Sequence, residues 1–277
     1  MNRQNLIEAI KAKKSMLCVG LDVNPGLLPI GMNQTPEMVL EFNKAIIDAT
    51  LPYTISYKLN SAFYESFGIA GWQVMAATFD YLQNKDVLVI ADAKRGDIGN
   101  SSQQYAESFL KQLRADAITV APYMGFDSVK PFLNIEHKWT ILLGLTSNAG
   151  NEDFQLQKLA NGKYLFEEVL TKAVEWGNPD NLMFVVGATQ GDRFQQVRAI
   201  AKDHFLLVPG IGAQGGDLES TMEAGVINDY GLLINASRSI IFSSRRSDFA
   251  VKAGEAAKEL QQQMESFIEK RHNHKTH

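Results

Sequence analysis

The sequence is poor in the features that mark disulfide-linked, membrane and secreted proteins. It contains one cysteine, Cys18, which excludes an intramolecular disulfide, and its apolar neighbours predict a buried, unreactive thiol. It has no run of about 18 apolar residues that would predict a membrane span, and no apolar segment near Met1 that resembles a secretion signal. We therefore expect a soluble, cytoplasmic protein.

Charge and histidine content narrow the range of ligands. The formal net charge is -4, and no dense stripe of lysine and arginine predicts binding to nucleic acid or to an anionic membrane. His272, His274 and His277 lie close to the C-terminus, and elsewhere no cluster of histidine and cysteine has metal-ligand spacing. The sequence favours a small-molecule partner and predicts no metal site.

Short apolar runs rich in β-forming residues alternate with longer segments of helical period. Eight candidate strands lie at roughly 16–22, 55–60, 87–92, 117–121, 140–145, 182–187, 205–209 and 231–235. Some are almost continuously apolar, which is typical of a parallel sheet covered on both faces. Eight βα units in about 250 residues predict an α/β fold, the (β/α)8 or TIM barrel. A doubly wound open sheet is the alternative.

The helical segments have recognisable starts and ends. Four of them are predicted at about 2–14, from Pro36 after the cap Thr35, at 165–176 before Gly177, and from Ser247 to about Lys270. A polar tail follows at about 271–277. Because no linker, low-complexity tract or repeat interrupts the chain, we predict a single domain over residues 1–277.

Polar residues follow six of the predicted strands at their carboxyl ends, where the catalytic groups of TIM barrels lie. Side chains in a strand alternate between faces, so Asp92 and Lys94 are expected to point the same way, as are Lys58 and Asn60. Asp97 follows in the loop, three residues beyond Lys94. Charge clusters of this kind are often only solvated surface, but the position directly after a buried strand favours a catalytic site.

A glycine-rich segment follows the seventh predicted strand. Gly210–Gly215 matches the pattern Gly-x-Gly-x-x-Gly, but a dinucleotide site is disfavoured, because that motif belongs after the first strand and needs an acidic ribose ligand. Glycines let backbone amides approach an anion, and TIM barrels commonly bind phosphate after strands seven and eight. We predict that Gly212 to Gly216 bind a phosphate monoester together with Arg238, whose forked guanidinium suits that role.

Six segments carry a family resemblance through their order and content. They are Leu21–Pro25, Lys58–Glu65, Asp92–Gly99, Thr146–Asn148, Pro209–Gly216 and Asn235–Arg238. From about residue 15 to 245 the chain resembles the orotidine 5'-phosphate decarboxylases, and in particular their longer bacterial-type branch. The resemblance implies a homodimeric, cofactor-free carboxy-lyase that converts orotidine 5'-monophosphate (OMP) to uridine 5'-monophosphate (UMP) and CO2 in pyrimidine biosynthesis.

The resemblance also implies roles for individual residues. Asp92, Lys94 and Asp97 match the catalytic array, which Lys58 joins, and Lys94 would stabilise the developing charge and then protonate C6. Asp97 and Ile98 would enter the site of the neighbouring subunit. The implied substrate contacts are Asp22 and Lys58 to the ribose, Ser147 to the pyrimidine, Gln214 between base and phosphate, and Gly215, Gly216 and Arg238 to the phosphate, with Asn60 and Ser101 as further substrate-binding residues.

Two other functions are compatible with parts of this pattern. A sugar-phosphate decarboxylase or aldolase on the same fold carries a similar Asp-x-Lys-x-x-Asp motif but uses Mg²⁺ and an enediolate intermediate. A catalytically silent nucleotide-binding protein is the other alternative, and its sequence would show a broken array. Here Asp92, Lys94 and Asp97 are all present, which favours the decarboxylase.

Overall fold

A computed structural model describes residues 1–188, 193–211 and 217–275, with side chains as far as 271. Within them, parallel strands close into a barrel in the order β1 to β8, with β8 pairing back to β1. The strands are β1 (Leu17–Gly20), β2 (Ser56–Asn60), β3 (Leu88–Arg95), β4 (Ala117–Val120), β5 (Trp139–Leu145), β6 (Leu182–Val186), β7 (Phe205–Pro209) and β8 (Leu232–Ala236). The predicted TIM barrel is confirmed, and the open-sheet alternative is wrong.

Helices surround this barrel. They are α1 (Arg3–Lys13), α2 (Pro36–Thr50), α3 (Ser61–Glu65), α4 (Gly68–Leu82), α5 (Gly99–Ala106), α6 (Phe126–Leu133), α7 (Leu165–Trp176), α8 (Phe194–Ile200), α9 (Leu218–Gly225), α10 (Arg238–Ile241) and α11 (Phe249–Lys275). A π-helical turn at Glu107–Gln112 extends α5. No helix in the described part of the chain combines the length and hydrophobicity that a membrane span requires.

The apolar strands are buried because helices cover the outside of the barrel while side chains fill its inside. Every residue of β1, β4, β6 and β8 is buried. On the outer side, α2 buries Phe42 and Ile46 completely, and each such side chain stabilises the fold by about 1.5–3 kcal/mol. The resulting frame is rigid, which fixes where the loops at the strand ends begin.

Cys18 lies within β1 and has no solvent exposure, as predicted. Burial raises the pKa of its thiol to about 12, because an apolar environment disfavours the thiolate. Its Sγ lies 3.6 Å from the Asn235 Oδ1 of the neighbouring strand.

Several predicted boundaries are wrong. The apolar run predicts that β3 ends at about Asp92, but the strand continues to Arg95. The sequence predicts a last helix from Ser247 to about Lys270, but α11 begins at Phe249 and continues to Lys275, so that most of the predicted tail is helical. The apolar period fades before that point, yet lysine and arginine are good helix formers, and adding residues to an existing helix costs little.

Candidate active site

A cavity of about 600 Å³ opens at the carboxyl ends of the barrel strands. Its volume falls within the range of about 300–1,000 Å³ that is usual for small-molecule sites. Seven of the residues predicted from the sequence lie in its wall, namely Asp22, Lys58, Asn60, Asp92, Lys94, Ser147 and Arg238. The fold therefore brings together strand ends that lie far apart in the sequence.

A chain of alternating charges occupies one wall of the cavity. The Lys58 Nζ lies 2.9 Å from the Asp92 Oδ2 and 3.4 Å from the Asp22 Oδ1. The other oxygen of Asp92, Oδ1, accepts a hydrogen bond of 2.6 Å from the Lys94 Nζ. Asp92 thus joins two ammonium groups, one on the adjacent strand and one farther along its own strand. We call Asp22, Lys58, Asp92 and Lys94 the charged chain.

The pairing of β2 with β3 explains this arrangement. Asn60 lies opposite Asp92, and Lys58 lies opposite Ile90, so alternate residues of both strands point towards the same space. Lys58 is 4% exposed and Asp92 is 8% exposed. Charges this deeply buried are tolerated in proteins only when they are paired.

Each charge in the chain stabilises its neighbour. Burial alone would raise the pKa of the Asp92 carboxyl, but the ammonium groups of Lys58 and Lys94 outweigh it and hold the pKa well below its usual range. Burial likewise opposes the charge on Lys58, yet Asp22 and Asp92 raise the pKa of its ammonium above the ordinary value. Among the described residues, no three histidine, cysteine, aspartate or glutamate side chains are grouped so that they could hold a metal ion.

Lys94 has an unusual backbone conformation. Its φ is +46°, in the left-handed region that side chains other than glycine rarely adopt. The pairing of β3 with β4 is irregular here, since the register shifts between Ala91 and Arg95. The Lys94 side chain is 49% exposed, so its ammonium is anchored to Asp92 yet accessible from the cavity.

The ends of β7 and β8 form another part of the wall. Gly210 and Ile211 line the cavity beside Asn235, Ser237 and Arg238. Arg238 is the first residue of α10, and Ser237 is fixed by a hydrogen bond of 3.0 Å from its Oγ to the Gly20 carbonyl. The rest of the predicted phosphate segment, 212–216 with Gln214, Gly215 and Gly216, lies outside the described residues.

Comparison with known proteins identifies the family. The model of the orotidine 5'-phosphate decarboxylase / HUMPS family matches residues 15–253. The chain belongs to this family. It is 53% identical over 270 residues to an orotidine 5'-phosphate decarboxylase of Phocaeicola vulgatus, and the match covers 97% of this chain and 99% of that protein.

Solved structures of family members have the same fold. The OMP decarboxylase of Leishmania donovani superposes with a TM-score of 0.82 at 36% identity, over 96% of this chain and 98% of that one. The UMP synthase of the same organism superposes with a TM-score of 0.84 at 38% identity, over 94% of this chain but 55% of that chain.

In this member of the decarboxylase family, the loop after β5 carries Ser147 into the cavity because Gly187, the residue directly after β6, leaves room for it. A Cβ added at Gly187 would lie 2.7 Å from the Ser147 Cβ, closer than real side chains approach. On its other side, the loop is fixed by Gln155, whose Oε1 accepts a hydrogen bond of 2.8 Å from the Thr146 N–H, and by Asn151, whose Nδ2 donates to the Thr146 carbonyl at 2.8 Å.

Three of the predicted residues that the structure describes do not line this cavity. Asp97 is half-buried, Ile98 is 54% exposed, and Ser101 is exposed on α5. The Asp97 Oδ1 accepts a 2.8 Å hydrogen bond from the Ile98 N–H, which orders the loop between β3 and α5. Asp97 and Ile98, which the resemblance assigns to a neighbouring site, thus lie outside the cavity, on the loop after β3.

Sequence reasoning missed several residues of this decarboxylase-family site. Apolar side chains line it, among them Phe63, Leu143, Val185, Leu207 and Phe242, and apolar residues at strand ends carry no distinctive signal. Thr119 was also missed, although its hydroxyl lies 3.0 Å from the Asp92 Oδ1. The available signal was a lone hydroxyl in the otherwise apolar strand Ala117–Val120.

Proposed function

We propose that this protein is an orotidine 5'-monophosphate decarboxylase, which converts OMP to UMP and CO2 without a metal ion or other cofactor. The observation that carries the proposal is the charged chain, which presents the Lys94 ammonium to a nucleotide-sized cavity. Family membership and curated relatives of that name support it. That the enzyme works in the cytoplasm stays a prediction from the sequence.

The chemistry requires a positive charge and a proton at the same place. When the bond between C6 and the carboxyl carbon breaks, CO2 leaves, and the bonding electron pair remains on C6 of the pyrimidine. The Lys94 ammonium stabilises this pair and then transfers a proton to C6, which forms UMP and leaves a neutral amine. The amine regains a proton from water. Asp92, held by Lys58 on its other oxygen, keeps Lys94 in place before the reaction begins.

The remaining residues of the site hold the nucleotide in the geometry that this step needs. We assign Asp22, Lys58 and Asn60 to the ribose side, Ser147 to the pyrimidine, and Arg238 with Gln214 and the glycine amides to the phosphate. The phosphate lies far from the reacting carbon, so its binding energy can be used to close the site and orient the charged chain.

The direct test is to mix the purified protein with OMP and to follow the loss of the ultraviolet absorbance of orotate, with and without EDTA. We expect turnover at the same rate in both conditions. Loss of activity in EDTA, restored by Mg²⁺, would instead support the metal-dependent alternative, and no turnover in either condition would refute the proposed function.

We propose further that the enzyme is a homodimer in which Asp97, Ile98 and Ser101 complete the neighbouring site. An apolar surface lies on the loops after β4 and β5, formed by Tyr123, Met124 and Phe154, which are 88%, 45% and 63% exposed. Ile98, which is 54% exposed, adds an apolar side chain on the loop after β3, where a Cβ at Gly96 would lie 3.6 Å from the Met124 Cε. The Tyr123 and Phe154 rings lie 6.5 Å apart, so the patch is continuous across two loops. Apolar patches of this kind usually mark contacts between proteins, and a second copy would cover this one while receiving Asp97.

Subunit mixing should restore activity if sites are shared. We expect Lys94→Ala and Asp97→Asn to be nearly inactive alone, but their co-refolded mixture to recover about a quarter of wild-type activity. Random pairing of the two variants makes half of the dimers mixed. In each mixed dimer, one site contains both substitutions and the other contains neither, so one site of two is intact. The matched control mixes Lys94→Ala with Asp92→Asn, which damage the same site, and should recover nothing. Equal recoveries from both mixtures would contradict the shared site.

A further inference from the structure

The part of strand β3 that carries Lys94 lies opposite a single residue of β4. Strand pairing joins Ala91 to Ile118 and then, after the shift, Arg95 to Val120. Three residues, 92 to 94, therefore face only Thr119. Bulges of this kind bend a strand and redirect a side chain, and they are common beside active sites. Here the bulge contains both Asp92 and Lys94.

The Thr119 hydroxyl joins the two sides of this bulge. Its Oγ1 accepts a 2.9 Å hydrogen bond from the Lys94 backbone N–H. Because a backbone N–H can only donate, the hydroxyl proton is free for another acceptor, and it is donated to the Asp92 Oδ1 at 3.0 Å. The same Oδ1 accepts the 2.6 Å hydrogen bond from the Lys94 Nζ. The Asp92 Oδ1 is thus bound to the Lys94 side chain directly and to the Lys94 backbone through the Thr119 hydroxyl.

The setting makes this tie rigid. Thr119 is completely buried, and a β-branched side chain has few rotamers. Lys94 holds the left-handed backbone conformation, which is unfavourable for lysine unless neighbouring groups impose it. The hydrogen bond to Thr119 offers the Lys94 N–H a partner in that conformation, where the regular ladder with β4 is interrupted.

We infer that Thr119 is a positioning residue for the decarboxylation, which holds the Lys94 backbone in its left-handed conformation and orients the Asp92 carboxylate towards the Lys94 ammonium. The inference rests on the proposed function, but the geometry that it concerns is measurable without turnover. Thr119 need not touch the substrate. It acts through Lys94 and Asp92, so its loss should affect the reaction more than binding.

The test compares Thr119→Val, which removes the hydroxyl at nearly constant volume, with Thr119→Ser, which keeps it. We expect the valine variant to lose about 100-fold in kcat, since small displacements of a reacting group cost that much, while KM and the affinity for UMP change less than about threefold. The serine variant should keep at least about a third of wild-type kcat. A valine variant with wild-type kcat, or one that loses UMP affinity as strongly as kcat, overturns the inference.

Thr140→Val is the matched control, because Thr140 is also a completely buried strand threonine, and its hydroxyl makes no hydrogen bond within the described residues. The Thr140→Val variant should keep the wild-type kcat. If it lost as much kcat as Thr119→Val, the effect of the Thr119 substitution would be merely structural. If Thr119→Val does not fold, Thr119→Cys, whose thiol is a weak donor and acceptor, should show the same loss of kcat, and wild-type kcat in that variant overturns the inference.

A crystal structure of the Thr119→Val protein separates this inference from the proposed function. We expect Lys94 to leave its positive φ and its Nζ to move more than about 3.5 Å from the Asp92 Oδ1, beyond hydrogen-bond distance. An unchanged charged chain overturns the inference, whatever the wild-type protein does to OMP. A wild-type protein that fails to turn over OMP refutes the proposed function instead.

Discussion

Lys94→Ala is expected to lower kcat for OMP by about 10⁴-fold or more, because in the proposed mechanism the substitution removes both the charge that stabilises the C6 electron pair and the proton that C6 receives. The folded structure should survive, since Asp92 keeps its 2.9 Å ion pair with Lys58 and the hydroxyl of Thr119. The measurement is single-turnover decay of OMP absorbance at enzyme concentrations above those of the substrate.

The control for this substitution is Lys111→Ala. Lys111 is 49% exposed and pairs with Glu107 one helical turn away, so its removal should cost little stability. Because Lys111 does not line the cavity, kcat should change less than about twofold. The affinity of Lys94→Ala for UMP should stay near that of the wild type, which shows that the cavity is intact. Residual activity above about one hundredth of the wild type would contradict the role given to Lys94.

The second large effect is expected for Arg238→Ala. The substitution should lower kcat/KM for OMP by about 10²- to 10³-fold, because losing one partner of a hydrogen-bonded charge pair in a closed site costs about 2–5 kcal/mol. The same variant should act on orotidine, which has no phosphate, at nearly the wild-type rate. Both substrates are measured by the absorbance assay, each at concentrations well below KM.

Comparing the two substrates isolates the phosphate contact from general damage to the site. Arg114→Ala serves as the control, since Arg114 is exposed and lies before β4, at the amino end of the barrel. It should leave both substrates unaffected. Equal losses on OMP and orotidine in the Arg238 variant would show that Arg238 supports the structure of the cavity and does not bind phosphate.

Much of the barrel could be predicted because its signals are local. All eight strands lie where apolar runs predicted them, and Leu165–Trp176 has the predicted ends. Gly177 does follow that helix, but its φ of -135° is extended, so it does not supply the left-handed turn that a terminal glycine often provides. Boundaries failed where no side-chain pattern sets them, as at the end of α11.

The charged half of the site could also be predicted, since burying Lys58 and Asp92 in adjacent strands requires that they meet. The bulge at Lys94 could not be predicted from the sequence. Its cause is the register between β3 and β4, a contact between segments that are about 25 residues apart in the chain. The role of Thr119 could not be predicted either, because it depends on the same contact between β3 and β4. A single threonine in a strand is usually explained by the preference of threonine for β-structure.

The buried position of Cys18 has a practical consequence for labelling experiments. With no solvent exposure and a thiol pKa of about 12, this cysteine neither meets alkylating reagents nor forms the thiolate that reacts with them. The folded wild-type protein therefore needs no cysteine to be removed before a probe is attached. A cysteine introduced at Val251, which is 63% exposed on α11, would be labelled selectively, so a fluorophore could be attached at one chosen position of an otherwise native chain.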